Sequence, residues 1–273
     1  MRDRKLLENV AFGHPSSPRV IAVANQKGGV GKTTTAVNLA VAMAQAGLHT
    51  VVIDADAQGN ASSALGVEHN SGVASLYDVM IGEASLAEVM QVCPDVENLR
   101  VCPATIDLSG AEIELVTMER REYALADALT SFVESDSDVE VIFIDCPPSL
   151  GLVTLNVLVA SDEVLIPIQT EYYALEGLSQ LWGTIEKVGA SLKPGLRVGA
   201  MLLTMSDRRT RLSQEVENEV RQHFGELALD TVIPRSVRIS EAPSYGQSVI
   251  SYDGRSTGAL AYRKAALELS HRW

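Results

Sequence analysis

The residues best placed to do chemistry lie in one run, Ala24-Asn25-Gln26-Lys27-Gly28-Gly29-Val30-Gly31-Lys32-Thr33-Thr34-Thr35. It follows a short apolar segment, Val20 to Val23, and precedes an amphipathic one, Ala36 to Ala46, so the order reads strand, loop, helix. Glycines let successive backbone N–H groups turn inward, and a helix N-terminus adds the positive end of a dipole. Lys32 and Thr33 stand where a phosphate-contacting lysine and a magnesium-binding hydroxyl belong. The run is therefore expected to cradle nucleotide phosphates.

Phosphoryl transfer also needs acids to hold a metal and orient water. Two apolar segments end in acids. His49 to Ile53 runs into Asp54-Ala55-Asp56-Ala57-Gln58-Gly59-Asn60, and Val139 to Ile144 runs into Asp145-Cys146-Pro147-Pro148-Ser149. Such segments are expected to be buried parallel strands that deliver their last side chain to a ligand crevice. Thr33 is read as the direct magnesium ligand, and Asp145 as the Walker B acid acting through a water.

Further strands are expected at Asn98 to Cys102, Glu163 to Ile168, Arg197 to Thr204 and Asp230 to Ile233. Helices are expected at Ala111 to Phe132, Leu152 to Val159, Arg211 to Phe224 and Thr257 to Leu269, with short helical pieces between Ser71 and Met90. Leu175, Leu178, Leu181, Trp182, Ile185 and Val188 recur at helical spacing and read as core. The alternation predicts an α/β fold: a single doubly wound, mostly parallel sheet flanked by helices, over residues 19–273. Residues 1–18 read as a loosely attached arm.

At 273 residues and 46% hydrophobic the chain can bury one substantial core. Cys93, Cys102 and Cys146 form no C-x-x-C pair, which suggests neither a zinc knuckle nor a disulfide framework and fits a cytoplasmic protein. The longest mostly apolar run, Leu150 to Ala160, is far short of the roughly 18 residues of a membrane span. Net charge is −13, but its distribution is uneven. Nineteen acids face only Arg100, Arg120 and Arg121 between Leu48 and Pro147, whereas Lys193 to Trp273 holds twelve Lys or Arg against nine acids. A locally basic last third can still contact phosphates.

The loop departs from the general pattern in carrying Gln26 where a glycine is usual and an extra lysine, Lys27, before the glycine pair. Lys-Gly-Gly-x-Gly-Lys-Thr-Thr resembles the deviant Walker A box of the MinD/ParA group. Within that group the chain resembles the ParA and Soj chromosome-partitioning ATPases over about residues 19 to 269. The stretches that carry this closer likeness are Glu171 to Leu178, Thr204 to Thr210 and Ile233 to Ser244. Asp54, Asp56, Gly59 and Asn60 match the family's second acidic box, with Ala57 in place of the usual proline.

The resemblance implies an ATPase in which Lys27, Gly28, Gly29, Val30, Gly31, Lys32, Thr33 and Thr34 contact ATP. Lys32 and Asp56 would be catalytic, Asp56 acting on the lytic water, and Asp54 would help hold the hydration shell of Mg2+. Lys27 would reach the partner's phosphates across an ATP-bound homodimer. Met205, Pro234 and Ser236 would meet the base, with Ser236 replacing the family's usual asparagine. Arg209 and Arg238 align with arginines that contact the DNA backbone, with Arg208, Arg211, Arg235 and Arg263 as neighbours. The implied partners are non-specific double-stranded DNA on the nucleoid and a ParB-type centromere-binding protein, with no membrane. A plasmid-segregating or other cargo-positioning relative would share these motifs. A MinD-like membrane ATPase would need a basic amphipathic C-terminus, and a nitrogenase-iron-protein relative would need paired cysteines.

Overall fold

The structure, a computed structural model, describes residues 10–171 and 178–273. The expected core residue Leu175 and most of the Glu171 to Leu178 stretch lie outside the described residues. The described chain runs β1 (Arg19–Val23), α1 (Lys32–Gln45), β2 (Thr50–Asp54), α2 (Asn60–Ala64), α3 (Leu76–Met80), α4 (Leu86–Val89), β3 (Gln91–Val92) and β4 (Leu99–Cys102). It continues through α5 (Leu108–Leu115), α6 (Ala124–Ser135), β5 (Val141–Asp145), α7 (Leu152–Ala160), β6 (Glu163–Gln169), α8 (Leu178–Ser191) and β7 (Arg197–Ser206). The last elements are α9 (Arg211–Phe224), β8 (Ala228–Pro234), α10 (Val237–Glu241), α11 (Val249–Tyr252) and α12 (Thr257–Ser270).

The strands form one sheet in the order β3-β4-β2-β5-β1-β6-β7-β8, parallel throughout except where β3 meets β4. The chain winds in one direction from β1 through β2 to β4, returns to β5, and then winds the other way through β6, β7 and β8. The loops after β1, β2 and β5 therefore diverge at one edge, the switch point where open α/β sheets bind ligands. Alternation along β1 divides the core: Val20 and Ala22 face a cluster built with α3 to α9, whereas Ile21 and Val23 face one built with α1 and α12.

Three expectations needed correction. The segment after the glycine loop is not amphipathic in place: Thr35 to Ala44 are all buried, because α1 is sandwiched between the sheet and α12. The helix expected over Ala111 to Phe132 is two helices separated by a turn. Arg120 takes φ 54 there, and Asn156 of α7 stabilises the break, its Nδ2 donating to the Arg121 carbonyl at 2.8 Å and its Oδ1 accepting from the Leu125 amide at 3.3 Å. Trp182 is half-buried, its indole N–H donating to Glu186 at 2.9 Å.

The end of the N-terminal arm is fastened to α12. The Gly13 amide donates to Ser270 Oγ at 3.1 Å, His271 Nε2 pairs with the Ala11 carbonyl at 3.0 Å, and Phe12 packs against the α1/α12 cluster.

Candidate active site

Two glycines shape the phosphate loop. Gly29 and Gly31 adopt φ 74 and 89, and Gly31 is the N-cap of α1, so any Cβ-bearing residue there would be strained. The loop is anchored from three sides. Asn25 donates to the Pro167 carbonyl at 2.8 Å and accepts from the Lys27 amide at 3.0 Å. Thr204, at the end of β7, donates to the Val30 carbonyl at 2.8 Å. Asn38 of α1 donates to the Thr34 carbonyl at 2.8 Å while accepting from the Val249 amide at 2.9 Å. The Lys32 side chain is buried, and its ammonium bonds back to the Lys27 carbonyl at 3.5 Å, poised under the loop.

Parallel pairing of β2 with β5 puts Asp54 directly beside Asp145, both fully buried. Their surroundings differ. Asp54 Oδ2 accepts from the Ser62 amide and hydroxyl, each at 2.8 Å, and Oδ1 accepts from the Asp56 amide at 3.2 Å. Burial still outweighs these bonds and pushes its carboxyl up to about 6. Burial also drives Asp145 well above the usual carboxylate range, and the Asp54 charge adds to it. The nearby Thr33 hydroxyl and Lys32 ammonium pull the other way, but neither Asp145 oxygen completes a hydrogen bond among the described residues. Two buried, unsatisfied carboxylate oxygens next to a hydroxyl and a second acid are what a small hard cation with its water shell would satisfy. The residues thus fit Mg2+.

Asp56 is half-buried and lines a cleft of about 610 Å³ with Gly28, Gly29, Lys32, Thr33 and Thr34. Its Oδ1 accepts from the Gln58 amide at 3.0 Å, which makes it a turn residue with one oxygen left for the cleft. Met205 lines this cleft and an adjoining one of about 430 Å³ that also contains Pro234, Ser236 and Tyr262. Its backbone is left-handed at φ 53, one of two such non-glycine residues described. The three residues expected at the base are therefore together. Sequence reasoning gave no role to Ser62, which fixes Asp54, or to Asn38; a serine within a short helix carries no signal of its own.

The arginines expected at DNA sit at the carboxyl ends of β7 and β8, except Arg263 on α12. Most are engaged by acids of this chain. Arg209, 88% exposed, forks onto Asp207 at 2.8 and 2.9 Å, and that contact pulls the Asp207 carboxyl down to about 2. Arg211 pairs with Glu215 at 3.1 Å, Arg235 with Glu171 at 3.0 Å, and Arg238 with Glu241 at 3.1 Å and Asp253 at 3.6 Å. Arg208 is exposed. Arg263 is half-buried against α1, where it donates to Gln45 at 2.7 Å and burial lowers its pKa.

An AAA-domain family model matches residues 18–198. The chromosome partitioning protein ParA of Caulobacter vibrioides is 49% identical over 254 residues, covering 93% of this chain and 94% of that protein. The chain belongs to the ParA/Soj family of chromosome-partitioning ATPases. The sporulation initiation inhibitor protein Soj of Bacillus subtilis, also 49% identical, covers 92% of this chain and 98% of its own. The family's fold extends further: cobyrinic acid a,c-diamide synthase from Mycobacterium smegmatis, crystallised with an ATP analog and magnesium, superposes with a TM-score of 0.78 at 37% identity, over 91% of this chain and 93% of that one. As a member of this family the chain is an ATPase. Among the described residues no helix is long and apolar enough to cross a membrane.

Proposed function

We propose that this ATPase binds ATP with Mg2+ as a homodimer, that the dimer holds non-specific double-stranded DNA on the nucleoid, and that hydrolysis, stimulated by a ParB-type centromere-binding protein, releases it. The observation that carries the nucleotide half is the buried Asp54–Asp145 pair beside Thr33 at the end of the glycine loop. Thr33 would ligate Mg2+ directly, with Asp145 and Asp54 holding its waters; the ion would neutralise charge on the β- and γ-phosphates. Loop amides from Gly28 to Thr34 and the Lys32 ammonium would bind the phosphates, the ammonium exchanging its bond to the Lys27 carbonyl for one to the nucleotide. Asp56 would accept a hydrogen bond from the attacking water. Met205, Pro234 and Ser236 would enclose the base.

Lys27 would supply charge in trans, from one protomer to the phosphates of its partner. Trans charge of this kind is worth about 10³ or more in rate. It would also make ATP, but not ADP, the adhesive of the dimer. For DNA, Arg209 and Arg238 would each exchange an intrachain acid for a phosphate, so they would hold DNA only as tightly as phosphate competes with Asp207 and Glu241. Sedimentation of Lys27→Ala with ATP and with ADP tests the reading: the expected result is monomer in both, with ADP affinity kept. An ATP-dependent dimer in the variant would remove Lys27 from the mechanism.

A further inference from the structure

Two consecutive serines of the short helix α2 are held by different partners. Ser62 is buried, and its amide and hydroxyl fix Asp54 Oδ2, each at 2.8 Å. Ser63 is half-buried and meets the imidazole of His69, its Oγ 2.9 Å from Nε2. The other ring nitrogen, Nδ1, lies 3.0 Å from the Val67 carbonyl, which can only accept. In the neutral ring Nδ1 therefore carries the proton, and Nε2 accepts from the Ser63 hydroxyl.

The same ring presses on the turn that carries Asp56. A Cβ on Gly59 would lie 2.8 Å from His69 Cδ2 and 3.1 Å from the Ala104 carbonyl oxygen, so the chain at that point runs between an imidazole edge and a carbonyl. Ala104 is fixed in turn, its amide donating to Ser62 Oγ at 3.1 Å. Gly59 is the N-cap of α2 at φ 63, and its amide donates to the Asp56 carbonyl at 2.8 Å, closing the turn in which Asp56 Oδ1 accepts from the Gln58 amide at 3.0 Å. Asp56, Asn60 and Ser63 line the nucleotide cleft, whereas His69 stands outside it. The imidazole can therefore act on the cleft only through the backbone and the hydroxyl that it holds.

We infer that His69 is the positioning residue of the Asp56 turn: its ring backs Gly59 and its Nε2 anchors Ser63, so that the free Asp56 oxygen meets the attacking water in the geometry that transfer needs. The inference rests on the role of Asp56 proposed above. A displacement of about 1 Å at a reacting group can cost on the order of 10² in rate. The groups that would hold phosphate and Mg2+, the loop amides, Lys32, Thr33 and Asp145, belong to other elements. Loss of His69 should therefore appear in turnover and not in nucleotide affinity.

Steady-state ATP hydrolysis by the full chain and calorimetric titration of Mg·ADP test it, with Asp56→Asn measured alongside. His69→Ala should lower kcat by about tenfold or more while KM and the Mg·ADP Kd change by less than about threefold. His69→Gln, whose side-chain carbonyl can accept from the Ser63 hydroxyl, should recover part of the lost kcat. Ser63→Ala should also lower kcat, and the double change His69→Ala with Ser63→Ala should cost less than the product of the two single losses, because both remove one contact. His223→Ala, exposed on α9, should turn over as wild type does. Near-wild-type Mg·ADP affinity in each variant shows that the nucleotide site is still folded. Wild-type kcat in His69→Ala while Asp56→Asn is inactive, a rise in KM and Kd that matches the loss of kcat, or no recovery in His69→Gln would each overturn the inference. Full turnover by Asp56→Asn would overturn it through its premise, and the two failures are thereby told apart.

Discussion

Replacing Asp145 by asparagine separates the charge of the buried acid pair from its shape. Without nucleotide, burial and the neighbouring Asp54 raise Asp145 well above the carboxylate range. Asp54, pushed up to about 6, is then about nine-tenths ionised. Mg2+ with nucleotide favours the ionised form of both acids, so binding should release protons at pH 7, about a tenth from Asp54 and a further share from the raised Asp145. At pH 6, where Asp54 is half-protonated, its share should rise to about 0.5. Calorimetric titration of Mg·ADP in buffers of different ionisation enthalpy reads this number as a slope. In Asp145→Asn the slope at pH 7 should be smaller than in the wild type, leaving the Asp54 share. The nucleotide-free variant should lose less than about 1 kcal/mol in urea unfolding, because an amide of the same size replaces an acid whose charged form burial disfavours. A wild-type slope near zero at both pH values would refute the upward shift of both carboxyls.

The raised Asp54 carboxyl also sets a pH dependence of stability. Its folded pKa lies above its unfolded value, so between about 4 and 6 the folded state binds more protons and stability falls as pH rises, by up to about 3 kcal/mol for this group. In EDTA, the urea midpoint of wild type minus that of Asp54→Asn should therefore decrease from pH 5 to pH 7. Thr204→Val removes the bond that ties β7 to the Val30 carbonyl and should cost about 1 kcal/mol in thermal unfolding while raising KM for ATP. Gly31→Ala forces a Cβ into a left-handed backbone at φ 89 and should abolish nucleotide retention on a filter while the chain stays folded. Arg209→Glu with Arg238→Glu should lose DNA retardation in a low-salt gel but keep ATP-dependent dimerisation; retained retardation would exclude those two contacts.

The glycine loop, the acids at strand ends and the alternation of strands with helices were legible in the chain because each follows from local rules: glycine where φ turns positive, apolar runs where both sheet faces are covered, an acid where such a run meets a crevice. The extra Lys27 and the stretches near Thr204 and Ile233 were enough to indicate the family. Helix limits failed where a distant side chain decided them, as when Asn156 breaks the chain between α5 and α6.

Strand order belongs to tertiary structure alone. Nothing between residues 54 and 145 states that β2 and β5 are neighbours, yet that pairing brings two carboxyls side by side in the sheet, where burial raises both pKa values and the Asp54 charge adds to the shift of Asp145. The same holds for Ser62 under Asp54, for Thr204 on the glycine loop, and for the arginines whose charge is engaged by Asp207, Glu241 and Asp253. Residue type and spacing determine which groups can act. Their protonation and pairing depend on burial and on neighbours far away in sequence, and those exist only once the sheet is assembled.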